Sequence, residues 1–425
     1  MNSVTARRLS ACAAIAICSL YALARTGFAI AGPYAYVPVA SSYTVSVIDT
    51  ATNTVVHDVP AGEGPIGVAV SPDGLRVYVA SQNAHSMIVI DALTDAVVGT
   101  LALASDPFGL AVTPDGSQIY VTLSGMDAIA VVDAQSFTVV DTINVGMTPR
   151  AIAFTPDGGK AYVANQNGSS VSVIDTQDNS VTRTLQTGGF ALATAANPAG
   201  TRVYVAVSGA GAAGGLFVVD TATDAIITSI PVGEARGVAV APDGRVYVSH
   251  DDSVSIVNPG TNTVATTIPT GETAYGVSIS RDGARAYVVN TNGHSVSVID
   301  TALGSVAATI PLAGGAFSLG NFVGPPIMPH PPALLAASGR HRAVQLDFDA
   351  PRDGGSSIIE YTATCGASSA IGAASPLIVA GLNNGTTYSC SVSARNAIGV
   401  GPLSNARDAI AGVADAIFID GFQAP

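Results

Sequence analysis

The sequence predicts an all-β protein, a seven-bladed β-propeller followed by a β-sandwich, and three observations carry that expectation. Glycine is abundant, with 45 residues, and charged residues make up 11% of the chain against 48% apolar. Long amphipathic helices need a charged face that this composition does not supply, whereas short strands and tight turns suit it. The second observation is a repeat of about 42 residues. The third is that the repeat series begins on an incomplete unit and ends on a fragment that would complete it.

The repeat rests on three markers that move in step. A Tyr-Val pair begins at Tyr36, Tyr78, Tyr120, Tyr162, Tyr204, Tyr247 and Tyr287, at spacings of 42, 42, 42, 42, 43 and 40. An apolar triplet closed by an acid ends at Asp49, Asp91, Asp133, Asp175, Asp220 and Asp300, with Asn258 in the sixth unit. A Pro-Asp-Gly turn carries Asp73, Asp115, Asp157 and Asp243, and is altered at Asn197-Pro198-Ala199-Gly200 and at Arg281-Asp282-Gly283. Within a unit, period-two alternation gives four strands; in the second these are 67–70, 76–80, 87–90 and 96–100. Their β-branched residues favour a pleated surface, and Asp-Gly and Thr-Asx pairs set the turns between them. Four antiparallel strands in each period is the pattern of a propeller blade.

The first unit has only three strands, 34–39, 44–49 and 54–59. The seventh is followed by Ala316–Phe322, which aligns with the innermost strands and is expected to complete blade one. Closure from both ends removes the open edge of the ring. Pro60, Pro231, Pro269 and Pro311 end fourth strands and blunt the outer edges. Over residues 34–323 these units resemble the YVTN family of β-propeller repeats. The residues that carry the likeness are Tyr120-Val121-Thr122-Leu123, Tyr162-Val163-Ala164-Asn165 and Tyr287-Val288-Val289-Asn290. The resemblance implies a cell-surface or periplasmic propeller and fixes no activity.

Residues 1–31 read as an export signal: Arg7 and Arg8, an apolar stretch from Leu9 to Ala24, and Ala29-Ile30-Ala31 as the cleavage site, with cleavage after Ala24 the second choice. Cys12 precedes most of the apolar stretch, so Leu9–Cys12 is not read as a lipid-attachment box. Cleavage would leave two cysteines, Cys365 and Cys390, in an oxidising compartment. No later apolar run is long enough to span a membrane as a helix. The net charge of −13, with Lys160 the single lysine, argues against nucleic acid as a partner.

The propeller is assigned 32–323, and a proline-rich linker at 324–332 holds Pro325, Pro326, Pro329, Pro331 and Pro332. Residues 333–412 resemble a fibronectin type III domain, on Leu346-Asp347-Phe348, Asp353-Gly354-Gly355-Ser356, Ile359-Glu360-Tyr361, Gly381–Tyr388 and Asn396–Pro402. Gly381-Leu382 followed by Tyr388 matches the tyrosine corner of such sandwiches, and Leu346 or Phe348 stands in for the missing core Trp. Cys365 would end the third strand and Cys390 lie in the sixth, its neighbour, so a cross-strand disulfide is expected, with two free buried thiols as the alternative. The tail 413–425 ends in Ile417–Phe422, which resembles a short C-terminal segment of some exported proteobacterial proteins.

Strand order puts the Pro-Asp-Gly turns and the turns after the repeated acids on one face, which is therefore ringed with carboxylates. Calcium is one reading of that ring; Asp as a turn residue bonding its own backbone is preferred. The opposite face breaks the repeat. One residue of each inner strand stands at that mouth of the channel: Ile66, Phe108, Arg150, Leu192, Arg236, Tyr275 and Phe317. Glu63, Glu234 and Glu272 share one repeat position beside it, and a lengthened Gly209–Gly215 loop adjoins a shortened one. Arg150 and Arg236 are candidates to pair a ligand's carboxylate or sugar oxygens, together with Glu63, Glu234, Glu272 and Tyr275. The alternative is that the arginines pair with those glutamates. His85 and His294 read as exposed loop residues rather than metal ligands.

No haem-attachment, nucleophile-elbow or zincin motif occurs, so no catalytic residue, metal or cofactor is assigned. The expectation is an exported, monomeric, non-catalytic binding or scaffolding protein with an unknown protein, peptide or glycan ligand at the channel mouth. The alternative is a lactonase-type hydrolase, because seven-bladed propellers related by the resemblance include lactone-opening enzymes. The small apolar inner strands, such as Gly67-Val68-Ala69 and Gly109-Leu110-Ala111, argue against it.

Overall fold

The computed structural model describes residues 33–209 and 214–412. The expected export signal, residues 210–213 of the long loop and the tail 413–425 lie outside the described residues. Among the described residues every regular element is a strand, and no helix is long and apolar enough to cross a membrane.

Six blades are four-stranded antiparallel sheets in sequence order from the channel outwards. Blade two, for example, is built from Pro65–Val70, Arg76–Ser81, Ser86–Asp91 and Ala96–Ala102. Blade one holds Tyr34–Val39, Thr44–Asp49 and Thr54–Pro60, and the segment after blade seven completes it. Tyr36 N–H donates to Phe322 O at 2.8 Å and Phe317 N–H to Pro38 O at 3.2 Å, while Val323 and Ala316 bridge antiparallel to Ala35 and Val39. The ring therefore closes with strands from both its ends.

Alternation places the core between blades. The repeated Tyr of the second strand is buried in every blade, and Tyr120, Tyr162, Tyr204, Tyr247 and Tyr287 are fully covered. The third and fourth strands slip register by one residue, as between Val89 and Ile90, a bulge that adds twist where a blade must fan outwards. Near the axis the blades crowd. A Cβ on Gly109 would lie 1.9 Å from Arg150 O, and one on Gly237 would lie 2.0 Å from Tyr275 O. Glycine recurs there because one inner strand's backbone occupies the space a side chain would need.

The second region is two sheets packed face to face. One holds Ala333–Arg340, Ala343–Asp349 and Leu377–Ala380; the other runs Ser368–Gly372, Glu360–Cys365, Thr387–Arg395 and Arg407–Ile410. Leu346 and Phe348 are buried in its core with Tyr361, whose ring centroid lies 4.9 Å from that of Phe348. Tyr388 Oη accepts the Asn383 N–H at 3.0 Å. Cys365 and Cys390 face one another on adjacent strands and form a disulfide. Its 25-residue separation corresponds to about 3–4 kcal/mol of chain-entropy stabilisation.

The proline-rich segment is fastened at both sides. His330 N–H donates to Arg352 O, Ile327 N–H to Gly354 O, and Asn396 Nδ2 to Ile327 O. On the propeller side His330 Nε2 donates to Ala92 O at 2.9 Å, and its ring meets Tyr34 edge-on at 5.4 Å. Arg352 of the sandwich reaches Asp95 in the turn of blade two at 2.5 Å and lies 4.8 Å over the Tyr34 ring. The sandwich thus docks beside blades one and two, on the face that carries the Pro-Asp-Gly turns.

Candidate functional site

The inner strand of each complete blade pairs only with the second strand of its own sheet, apart from contacts of blade two with the closing segment, so its other edge turns main-chain groups towards the axis. What fills the channel depends on the side chains at either end. At the end where the inner strands begin, the side chains are large. Phe108 and Phe317 meet edge-on at 5.7 Å, Tyr275 lies 4.0 Å from Phe317, and the Arg150 guanidinium sits 3.7 Å above the Phe108 ring. Arg150 Nε also donates to Gln166 Oε1. Ile66 packs into the same cluster. This mouth is a plug: bulky groups converging on a narrow ring bury one another.

The structure brings Arg150 and Tyr275 together at this mouth and spreads the other candidate residues around it. Arg236 is half-buried, and its guanidinium donates to Asp251 O at 3.4 Å. Glu234 accepts from Ser208 Oγ, while Glu63 and Glu272 are exposed. Neither Arg150 nor Arg236 lies within ion-pair distance of an acid among the described residues, so the expected alternative of Arg–Glu pairing is not what holds them. Burial raises the Tyr275 hydroxyl above its usual pKa and lowers that of His250 nearby in blade six. His85 and His294 are exposed, and His85 Nδ1 lies 3.0 Å from Asp106.

At the other end the inner strands finish in small residues, and the channel opens into a cavity of about 580 Å³. Ala69, Ala111, Ala153, Ala195 and Ala239 line its wall, Pro72, Pro114, Pro156 and Pro242 its rim, and Pro325 of the linker its edge. Polar side chains there are few. Ser278 Oγ donates to Asn321 Oδ1 at 2.8 Å, Thr194 Oγ1 to Tyr162 O at 3.2 Å, and Arg281 is the one ionisable residue of the lining. The sequence signal for this cavity was the run of small inner-strand residues.

The carboxylate ring surrounds the cavity rim, and its members are engaged by their own turns. Asp157 accepts Thr155 Oγ1 at 2.6 Å and Gly159 N–H at 3.1 Å; Asp115 and Asp282 repeat the pattern. These donors hold the Asp115 and Asp157 carboxyls below the usual range. Among the described residues no three His, Cys, Asp or Glu side chains converge as a metal site.

Two family models match parts of the chain. Residues 57–194 match the model "Lactonase, 7-bladed beta-propeller", and residues 153–296 match a domain of unknown function, DUF5074. No curated protein matches. Among solved structures the chain is similar to Kuenenia stuttgartiensis hydrazine synthase, at 23% identity and a TM-score of 0.55, over 60% of this chain and 88% of that one. It is also similar to a functionally unknown protein from Desulfotomaculum acetoxidans DSM 771, at 16% identity and a TM-score of 0.58, over 67% of this chain and 98% of that one. What the chain shares with these proteins is the β-propeller fold.

Proposed function

We propose that this chain is an exported, non-catalytic binding protein that admits a largely apolar ligand to its channel from the turn face. The observation that carries the reading is the cavity of about 580 Å³, within the usual size range of small-molecule sites and walled by alanine, proline and main-chain edges. No carboxylate, imidazole or thiol lies in its lining, so no side chain there is suited to activate water. Arg281 and Asn321 give a ligand's polar end a place at the rim. The sandwich, read as a fibronectin type III-like module, holds the propeller at a fixed distance from whatever its far end meets. Export rests on the N-terminal sequence and agrees with the disulfide.

The test is a thermal-shift and native mass-spectrometry screen of acyl, aromatic, peptide and glycan ligands on the full chain, repeated on Ala153→Phe. A ligand that stabilises the native chain and is lost when the phenyl ring enters the cavity supports the reading. Equal binding by both proteins removes it. Lactone hydrolysis is the second reading, favoured by the family match over 57–194. Turnover of a lactone by the purified chain, abolished by Glu234→Gln at the mouth, would put it first.

A further inference from the structure

Neighbouring blades are tied by variants of one device, and the junctions differ in how much of it they keep. Gly304 and Phe137 break the Asx position, and the Tyr204 and Tyr247 hydroxyls are buried without a hydrogen-bond partner among the described residues. The second strand of a blade starts with a polar residue two before its Tyr, and the turn of the following blade offers an Asx residue at Asn53, Asp95, Asn179, Asp224 or Asn262. Between blades four and five, Lys160 Nζ donates to Asp224 Oδ2 at 2.7 Å and Tyr162 Oη to Asp224 Oδ1 at 2.5 Å. Two donors thus hold one carboxylate. Tyr120 donates to Asn179 one junction earlier, and Arg202 reaches Pro259 O and Asn262 one junction later. Arg245 takes Thr301 O. Blade one lacks the cation, having Tyr34 at that position, and there Arg352 of the sandwich supplies it to Asp95.

Between blades two and three the donors are present and the acceptor is not. Arg76 and Tyr78 occupy the positions of Lys160 and Tyr162, but Phe137 stands where Asp224 does. The Phe137 ring turns away over Gly99, where a Cβ would fall 3.1 Å from it. Phe137 keeps the left-handed backbone of the Asx position, at φ 55°, which a bulky side chain rarely adopts. A groove of about 300 Å³ is left, lined by Asp73, Arg76, Tyr78, Asp115, Ala134 and Gln135. Tyr78 is 2% exposed, and neither its hydroxyl nor the Arg76 guanidinium has a hydrogen-bond or ion-pair partner among the described residues. Arg76 is exposed, so the guanidinium and the Tyr78 hydroxyl face the groove rather than the core.

We infer that this groove is a receptor for a single carboxylate group of an external ligand, gripped by Arg76 and Tyr78 as Asp224 is gripped by Lys160 and Tyr162. An arginine fork matches a carboxylate in two hydrogen bonds, and charge-assisted bonds of this kind are the strong ones. Asp73 and Asp115 border the groove with their own turns satisfied. Their charge disfavours every anion, the more so the higher its charge, so a single carboxylate is the anion least opposed. The carboxylate comes from a sugar acid or from a peptide C-terminus, and the titration separates the two.

Galacturonate, an acetylated tripeptide with a free C-terminus, and the same tripeptide amidated are titrated against the full chain by ligand-observed NMR. One or both carboxylates should bind saturably, and the amide should not. Arg76→Gln, an exposed substitution, should weaken that binding at least tenfold. Phe137→Asp should abolish it and raise the melting temperature, because an internal carboxylate then fills the grip and the left-handed backbone suits Asp. Absence of saturable carboxylate binding by the native chain overturns the inference, as does binding that Arg76→Gln leaves unchanged. The two variants are independent, so a failure of Phe137→Asp to fold still leaves Arg76→Gln to decide.

Discussion

The two ends of the channel are built from the same repeat and come out opposite. At the mouth, the position after the start of each inner strand carries Ile66, Phe108, Arg150, Leu192, Arg236, Tyr275 and Phe317, and the largest of these stack until little space is left. Three residues further along, five of the same strands carry alanine, proline follows in four of the turns beyond, and about 580 Å³ is open. The backbone is nearly the same at both ends, so the choice between plug and cavity lies in side-chain volume. Function in this ring is expected where the repeat keeps its side chains small, although the mouth is where the repeat varies most.

Removing the plug should have the largest effect. Phe108 is 4% exposed and lies between Arg150 and Phe317. Phe108→Ala deletes a buried ring and leaves the Arg150 guanidinium without its face, at a cost of about 3–5 kcal/mol. Equilibrium unfolding in urea checks it. A loss under 1 kcal/mol would mean that the mouth is already loose, and the contrast between the ends would fail.

The turn end should respond to pH through the junction beside it. His330 is buried against Tyr34 and Ala92, faces the Arg352 guanidinium with Asp95 behind it, and its pKa falls from 6.5 to about 4, mainly by desolvation. A histidine with a depressed native pKa leaves the unfolded chain as the better proton binder between the two values. Stability is therefore full above pH 6.5 and declines as pH falls towards 4, by about 3 kcal/mol in all. His250 near the mouth, lowered by burial as well, adds to the same slope. Urea midpoints at pH 7.5 and 4.5 should differ for the native chain and differ less for His330→Asn. Equal slopes for the two proteins would show that the junction does not hold His330 neutral.

Much of this was legible in the sequence. The seven Tyr-Val pairs and three markers in register specify seven blades, and the unpaired first unit with Ala316–Phe322 specifies how the ring closes. Cys365 and Cys390 could be paired because the strand order made them neighbours. The state of each channel end was less legible. A list of mouth residues does not say whether Phe108, Tyr275 and Phe317 splay or stack, because that depends on the radius of the ring. Nor does it say that Arg352, far along the chain in another region, completes a contact that Tyr34 leaves open in blade one. Repeats expose local pattern; departures from the pattern acquire meaning only when the neighbour that compensates, or fails to, is known.

The smallest effect is expected at Arg236, and it separates the ends most cleanly. Its guanidinium makes one long hydrogen bond, to Asp251 O at 3.4 Å, and no ion pair among the described residues. A half-buried arginine held this loosely contributes little to folding, so Arg236→Gln should leave unfolding free energy within about 0.5 kcal/mol of the native value. A ligand that enters from the turn face never reaches it, and its affinity should be the same in the variant. Affinity lost without any loss of stability would place the ligand at the mouth instead, with Arg236 as its anchor and the plug as its platform. That outcome would reverse the roles assigned to the two ends while leaving the fold that creates them untouched.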